Sequence, residues 1–174
     1  MTPSTTTEKT RQRLVAAFCA AYAEKPFEKI TVREVVKAAG CSRSNFYLYY
    51  TNLAELRTEV EDTVLAAIRQ IMAADEASNE SQFIAQATAL YAAHEQELTA
   101  LLGEYGSAAF KARFKAELVN AFPKVFAAKQ DQFFPYLVEY HISTILSLFQ
   151  LWLKRKKDLP RAELFRMIDS LLIR

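Results

Sequence analysis

Five polar side chains in one short run, Arg43, Ser44, Asn45, Tyr47 and Tyr49, are of the types that hydrogen-bond nucleic acid. Arginine and asparagine can each form paired hydrogen bonds to purine edges in the major groove, while tyrosine hydroxyls and a helix N-terminus suit phosphate oxygens. No comparable set points to catalysis. His94 and His141 are the only histidines, 46 residues lie between them, and neither has cysteine or carboxylate neighbours at metal-ligand spacing. A Gly-rich phosphate loop and a nucleophile motif are both missing from the sequence. The chain therefore reads as a binding protein rather than an enzyme, with no cofactor and no metal implied. Cys19 and Cys41 lack the spacing of a metal or redox pair and read as small buried hydrophobes.

The polar residues need a scaffold, and the run from Ile30 to Leu56 has the grammar of a helix-turn-helix. Thr31 stands three residues before Glu34, so its hydroxyl can cap a first helix while Glu34 reaches back to the Thr31 N–H. Val32, Val35, Val36 and Ala39 give that helix an apolar stripe. Gly40 ends it, because the residue after a helix commonly needs the left-handed conformation. Ser42 then caps a second helix expected over residues 43–49, with Phe46 as its inward anchor and Arg43, Ser44, Asn45, Tyr47 and Tyr49 on the outer face. A solvated helical hairpin would also expose Arg and Tyr, so this pattern alone leaves both readings open.

The run from Lys9 to Leu56, above all PFEKITVREVVKAAGCSRSNFYLYY, resembles the N-terminal DNA-binding domain of the TetR family of bacterial transcriptional regulators. The resemblance rests on Phe27, the Ile30-Thr31 helix start, the Ala39-Gly40-x-Ser42 turn, the Phe46-Tyr47 pair, Tyr50, and Leu56 on the next helix. It implies that Tyr47 contacts a phosphate, that positions 43, 44, 45 and 49 face the groove, and that Arg33 on the preceding helix reaches a base or phosphate. Ser42, at the start of the reading helix, completes the DNA-binding set. One position departs from the family pattern: Leu53 stands where a phosphate-touching lysine is usual. Restoring a lysine there is expected to tighten DNA binding and steepen its salt dependence.

Composition sets the frame. With 174 residues, 51% apolar, three Gly, five Pro and strong helical periodicity, the chain should be an all-α globular protein. Residues 1–57 carry nine Lys/Arg against five Asp/Glu, net +4, while residues 58–174 carry thirteen against fifteen, net −2. Positive charge thus gathers where the DNA-binding residues lie. The polar first ten residues and the lack of a long apolar run predict neither a signal peptide nor a membrane span, hence a cytoplasmic protein.

Periodicity organises the rest. Leu14, Ala17, Phe18, Ala21 and Tyr22 mark a first helix closed by Pro26, with Phe27 and Ile30 sealing a three-helix core. Asn52 and Glu55 repeat the capping spacing before a long helix whose stripe runs through Leu56, Val60, Val64, Ala67, Ile68 and Ile71. Another stripe, Phe83, Ala87, Leu90, Tyr91 and His94, is expected to continue through Leu98, Leu101 and Leu102 to Gly103 and Gly106. Phe110, Phe114, Leu118 and Phe122 recur every four residues, and Pro123 should break or kink the helix at that point. Fourteen of the 21 aromatics lie beyond residue 82, so a lined cavity and a dry aromatic core are both open. Tyr91, His94, Phe110, Phe114, Tyr140 and His141, which combine apolar surface with polar tips, are the candidates for a small-molecule site.

The helix after Pro135 is apolar on two faces, and the last helix, after Pro160, carries a broad apolar stripe of Leu164, Phe165, Ile168, Leu171 and Leu172. This pair resembles the family's dimerisation element, a four-helix bundle formed by two subunits, and Leu146, Phe149, Leu153 and Ile168 are expected on that surface. The KRKK run at 154–157 fits a nucleic-acid patch or a helix C-terminus favoured by the dipole, and the second is preferred.

The expected fold is therefore all-α: an N-terminal three-helix helix-turn-helix domain, residues 1–57, joined by a long helix to a C-terminal helical ligand-binding and dimerisation domain, residues 58–174. The expected function is that of a DNA-binding transcriptional regulator, a ligand-responsive repressor that binds a palindromic operator as a homodimer. A helical protein-interaction module, or a small-molecule-binding protein without DNA binding, is the alternative.

Overall fold

The computed structural model describes residues 5–73, 80–125 and 132–172, and these are helical with no strand among them. In chain order the described helices are α1 (Thr5–Glu24), α2 (Val32–Ala38), α3 (Arg43–Tyr47), α4 (Leu53–Ala73), α5 (Glu80–Ala93), α6 (Glu95–Leu102), α7 (Ala108–Val125), α8 (Phe134–Lys154) and α9 (Arg161–Leu172), with a 3-10 turn at Phe27–Lys29. The all-α class expected from periodicity is the one observed. None of the described helices is long and apolar enough to cross a membrane.

The chain divides into two compact units, residues 1–64 with 96–107, and residues 65–95 with 108–174. The first unit follows α4 past Arg57, the boundary expected from the sequence, because Leu56, Val60 and Val64 are all buried. Within it α1 packs on α2, and α2 on α3. Leu14, Phe18 and Tyr22 recur every four residues along α1 and are buried, as the stripe predicted. Phe27 closes this cluster, its ring 6.3 Å from Phe18 and 6.1 Å from Tyr22 with the Arg57 guanidinium 4.1 Å above its centroid. Cys19 is buried as well, and burial pushes its thiol well above the ordinary range, which fits an inert core residue.

In the second unit α7 packs on α8, α5 on α9, and α8 on α9. Leu90, Tyr91, Phe110, Phe114, Leu118, Val138, Ile142, Phe149, Trp152, Leu164, Phe165 and Ile168 are buried in the chain. The stripe expected to run unbroken from Phe83 to Leu102 is interrupted at His94, between α5 and α6. Its two halves serve different cores, since Leu90 and Tyr91 lie in the second unit and Leu98, Leu101 and Leu102 in the first. Helix α7 runs two residues past Pro123. The side chains of Ile71, Phe83 and Phe122 lie outside the described residues.

Candidate nucleic-acid interface

Helix α2, which precedes the reading helix, is held at both ends by bonds between residues close in sequence. Thr31 Oγ1 accepts from the Glu34 N–H at 3.2 Å and starts α2. The reciprocal half of the expected capping box is replaced, because the Glu34 carboxylate pairs with Lys25 Nζ at 2.7 Å. At the other end Gly40 takes φ +61°, its N–H donates to the Lys37 carbonyl, and the Cys41 N–H donates to the Val36 carbonyl at 3.0 Å. These two bonds form a Schellman termination. A side chain at position 40 would meet nothing closer than Arg13 at 3.8 Å, so the backbone conformation, not crowding, selects glycine.

Helix α3 starts where this turn delivers it. Ser42 Oγ accepts from the Asn45 N–H at 3.1 Å and donates to Asn45 Oδ1 at 2.8 Å, so one residue caps the helix and fixes the Asn45 amide. The helix proper ends at Tyr47, shorter than the expected 43–49, with Leu48 as its C-cap. Phe46 is fully buried, and its ring lies 5.4 Å from Tyr47 and 5.5 Å from Tyr50. Arg43, Ser44 and Asn45 are exposed, Tyr47 is 58% exposed, and Tyr49 is partly covered. Arg33 is exposed on α2. A turn of 3.6 residues sets Phe46 and Tyr50 on one side of the helix and Ser44 and Leu48 on the opposite side.

Leu48 was missed in reading the sequence. At 78% exposure it is the most exposed of the large apolar side chains described. The signal was available: it stands four residues after Ser44, on the strip farthest from the Phe46 anchor. Leu53, by contrast, is only 9% exposed. It belongs to the core beside Leu56, so a lysine there could not simply be added to the surface. Asn52 Oδ1 accepts from the Glu55 N–H at 3.0 Å as expected, but the Glu55 carboxylate returns to Thr51, accepting from its N–H and its hydroxyl at 2.6 Å each. Those bonds hold the Glu55 carboxyl below its usual range.

The six residues expected to form a small-molecule site are distributed over the second unit. Tyr91 is buried in an aromatic cluster, 5.4 Å from Phe149, 5.7 Å from Trp152 and 6.1 Å from Phe165, and its hydroxyl donates to Glu95. Phe110 and Phe114 are buried, with their rings 5.8 Å apart and tilted by 47° along α7. Tyr140 is 60% exposed, 5.1 Å from the partly covered His141 ring. His94 is different: its Nδ1 is buried without a hydrogen-bond partner, as is Gln86 Oε1. Among the described residues no group of three or more His, Cys, Asp or Glu is placed to hold a metal ion. Of the KRKK run, Lys157 turns inward to Glu95 and Arg155 pairs with Asp158, which leaves Lys154 and Lys156 as the exposed remainder.

Residues 14–60 match the family model described as bacterial regulatory proteins, tetR family. An HTH-type transcriptional regulator of Haemophilus influenzae is 41% identical over 66 residues, which are 37% of this chain and 32% of that protein. The match thus spans about a third of the relative's length. Over the whole chain the fold is similar to that of a TetR transcriptional regulator from Streptococcus agalactiae, with a TM-score of 0.64 at 22% identity, covering 97% of this chain and 96% of that one. It is also similar to a gamma-butyrolactone receptor described as ArpA-like, with a TM-score of 0.65 at 13% identity, covering 97% and 98%. Residues 14–60 thus match the model of the tetR family of bacterial regulatory proteins, and along its length the chain has the fold of these solved structures.

Proposed function

We propose that this protein is a cytoplasmic transcriptional repressor that binds a palindromic DNA operator as a homodimer and releases it on binding a small molecule. The observation that carries the reading is the outer face of α3, where Arg43, Ser44, Asn45 and Tyr47 stand in solvent on a helix anchored from behind by Phe46 and Tyr50. Arg43 and Asn45 suit base edges, Tyr47 and Arg33 suit phosphate, Ser42 and Tyr49 flank them, and Leu48 offers apolar contact to a thymine methyl or a deoxyribose. A two-fold dimer would set two such helices in successive major grooves.

The second face of the proposal is the dimer. Along α8, Phe133, Leu137, Tyr140 and Leu151 are exposed, and Met167 and Leu171 are exposed on α9. The four residues of α8 and its N-cap share one helix face by their spacing, and an exposed apolar face suits a second copy of the chain. The effector reading is supported by Gln86 Oε1 on α5 and His94 Nδ1 just past its end, since buried polar atoms lacking a protein partner suit a polar ligand. That effector must favour the DNA-incompetent state to cause release.

Selection of bound sequences from random duplex DNA, followed by anisotropy titration over a range of salt, tests the proposal. A two-fold symmetric consensus whose affinity falls steeply with salt is expected. Tyr47→Ala should then weaken binding to all sequences alike, and Arg43→Ala should relax one base position at each half-site by about 1–3 kcal/mol. Failure to enrich any sequence would refute it.

A further inference from the structure

Glu59 on α4 is the meeting point of three elements of the first unit. Its Oε1 accepts from the Tyr50 hydroxyl at 2.8 Å, and its Oε2 accepts from Arg11 of α1, with Nε at 3.2 Å and Nη2 at 3.0 Å. Tyr50 is almost fully buried and touches the reading helix twice. Its ring lies 5.5 Å from Phe46, and its N–H donates to the Phe46 carbonyl at 3.0 Å. Tyr49, the preceding residue, donates its N–H to the same carbonyl. The last turn of α3 is thus suspended between a nonpolar contact, which tolerates sliding, and one directional bond to α4, which does not. Both oxygens of Glu59 are occupied, so the carboxylate cannot turn toward Arg11 without loosening Tyr50, nor the reverse. Burial, followed by the nearby carboxylate, keeps the Tyr50 hydroxyl protonated and therefore a donor.

We infer that Glu59 is a positioning residue for DNA reading: through the Tyr50 hydroxyl it fixes the angle at which α3 presents Arg43, Asn45 and Tyr47, while Arg11 fixes Glu59. The inference rests on the DNA-binding reading above. It predicts a bond that matters for discrimination between sequences more than for attraction to DNA, because phosphate attraction tolerates small rotations that paired base contacts do not.

The test uses the full chain and the selected consensus. Tyr50→Phe keeps the ring and its packing but removes the donor. It should lower consensus affinity about three- to tenfold, the scale of one hydrogen bond, with affinity for unrelated DNA and the salt slope unchanged. Glu59→Ala should do the same, and the double variant Tyr50→Phe/Glu59→Ala should lose no more on the Tyr50 arm than either alone. Glu59→Gln, whose amide oxygen still accepts from Tyr50, should restore most of the discrimination that Glu59→Ala loses. A Tyr50→Phe protein with the parent's ratio of consensus to unrelated binding overturns the inference. So does a proportional loss of both kinds of binding together with a lower melting temperature, which would make the bond a general stabiliser. A parent chain that selects no sequence would instead overturn the DNA-binding reading itself, which sets the two failures apart.

Discussion

Phe149 lies edge-on to Tyr91 at 5.4 Å, with its ring 5.8 Å from Trp152, inside the second unit and not on a surface awaiting a partner. At 7% exposure in the single chain it is a core residue, and Ile168 is more deeply buried still. The assignment of both to the subunit interface is therefore corrected. The cause is that α8 is apolar on more than one face, and periodicity cannot say which face meets the chain's own helices. Phe149→Ala should cost about 3–5 kcal/mol of stability, the usual loss for a buried aromatic. The single tryptophan of the chain, Trp152, should report the loss in denaturant titrations by fluorescence. Unchanged stability with loss of self-association would return Phe149 to the interface.

Leu53 is likewise a core position, at 9% exposure, and not the open helix end expected from the sequence. Its side chain is in the core, so Leu53→Lys removes apolar burial and must carry its charge out along a flexible stem. Stability should fall by about 1–3 kcal/mol, without the tighter DNA binding that a lysine at an open position would confer. Melting curves and salt-dependent DNA titrations on one preparation decide it. A steeper salt slope at unchanged melting temperature would show that the helix end lies open.

What the sequence made legible was local. Thr31, Gly40, Ser42 and Asn52 set helix ends through bonds to residues within four positions, and each acts as its type suggested. Phe46 was readable as an anchor because five residues cannot bury more than one face. Bonds across long sequence separations were not readable: Lys25 took Glu34 from its capping role, and Arg11, Tyr50 and Glu59 converge only after folding. The break at His94 carries no Gly or Pro to announce it. Of the six aromatic and histidine candidates for a ligand site, residue type predicted burial for Tyr91, Phe110 and Phe114 but could not place them together.

Lys156 and Lys157 both adopt left-handed backbone, φ 56° and 58°, where glycine would ordinarily stand. The Lys156 N–H donates to the Leu153 carbonyl and the Lys157 N–H to the Trp152 carbonyl at 2.8 Å, so α8 ends in the same motif as α2 but with lysine at the costly position. Lys156 is exposed, which leaves its side chain nothing evident to lose. Lys156→Gly should therefore stabilise the fold by about 0.5–1 kcal/mol, the relief of left-handed strain less the added freedom of the unfolded chain. Thermal denaturation measures it, and a lower melting temperature would show that the strain is not real.

Lys157, one residue on, does use its side chain. Its Nζ donates to Glu95 at 2.6 Å and sits 5.8 Å above the Tyr91 ring and 5.7 Å above that of Trp152. The bond from Lys157, ahead of that from Tyr91, holds the Glu95 carboxyl below its ordinary value of 4.5. Burial works against the Lys157 charge, but bonds to Glu95 and Tyr91 outweigh it and raise the amine above its ordinary 10.5. A depressed acid stabilises above its unfolded value and loses that contribution as pH falls through the folded one. A raised base stabilises below its unfolded value and loses that contribution as pH climbs through the folded one. Lys157→Met should thus lower stability between these limits, by no more than about 1 kcal/mol because both groups are partly solvated. The difference from the parent should vanish in acid below the carboxylate range. A pH-independent difference would assign the effect to packing alone.

The self-association surface is best sought where α8 remains uncovered. Phe133, Leu137, Tyr140 and Leu151 are exposed at spacings of four, three and eleven residues, and eleven residues return to nearly the same face of a helix. Between them lie Thr144 and Ser147, small enough for a second helix to approach, and Met167 and Leu171 are exposed four residues apart on α9. Because Leu151 faces solvent in the single chain, Leu151→Glu should leave the subunit's own melting nearly unchanged. In a dimer the same carboxylate would be buried without a partner, and association should weaken by several kcal/mol. Operator binding should weaken with it, since the second half-site would no longer be held at high local concentration. Sedimentation, melting and DNA titration on this one variant separate the outcomes. A folded dimer excludes Leu151 from the contact, and an unfolded chain would place it in the core. A folded monomer with the parent's affinity for the full operator would contradict binding by paired half-sites.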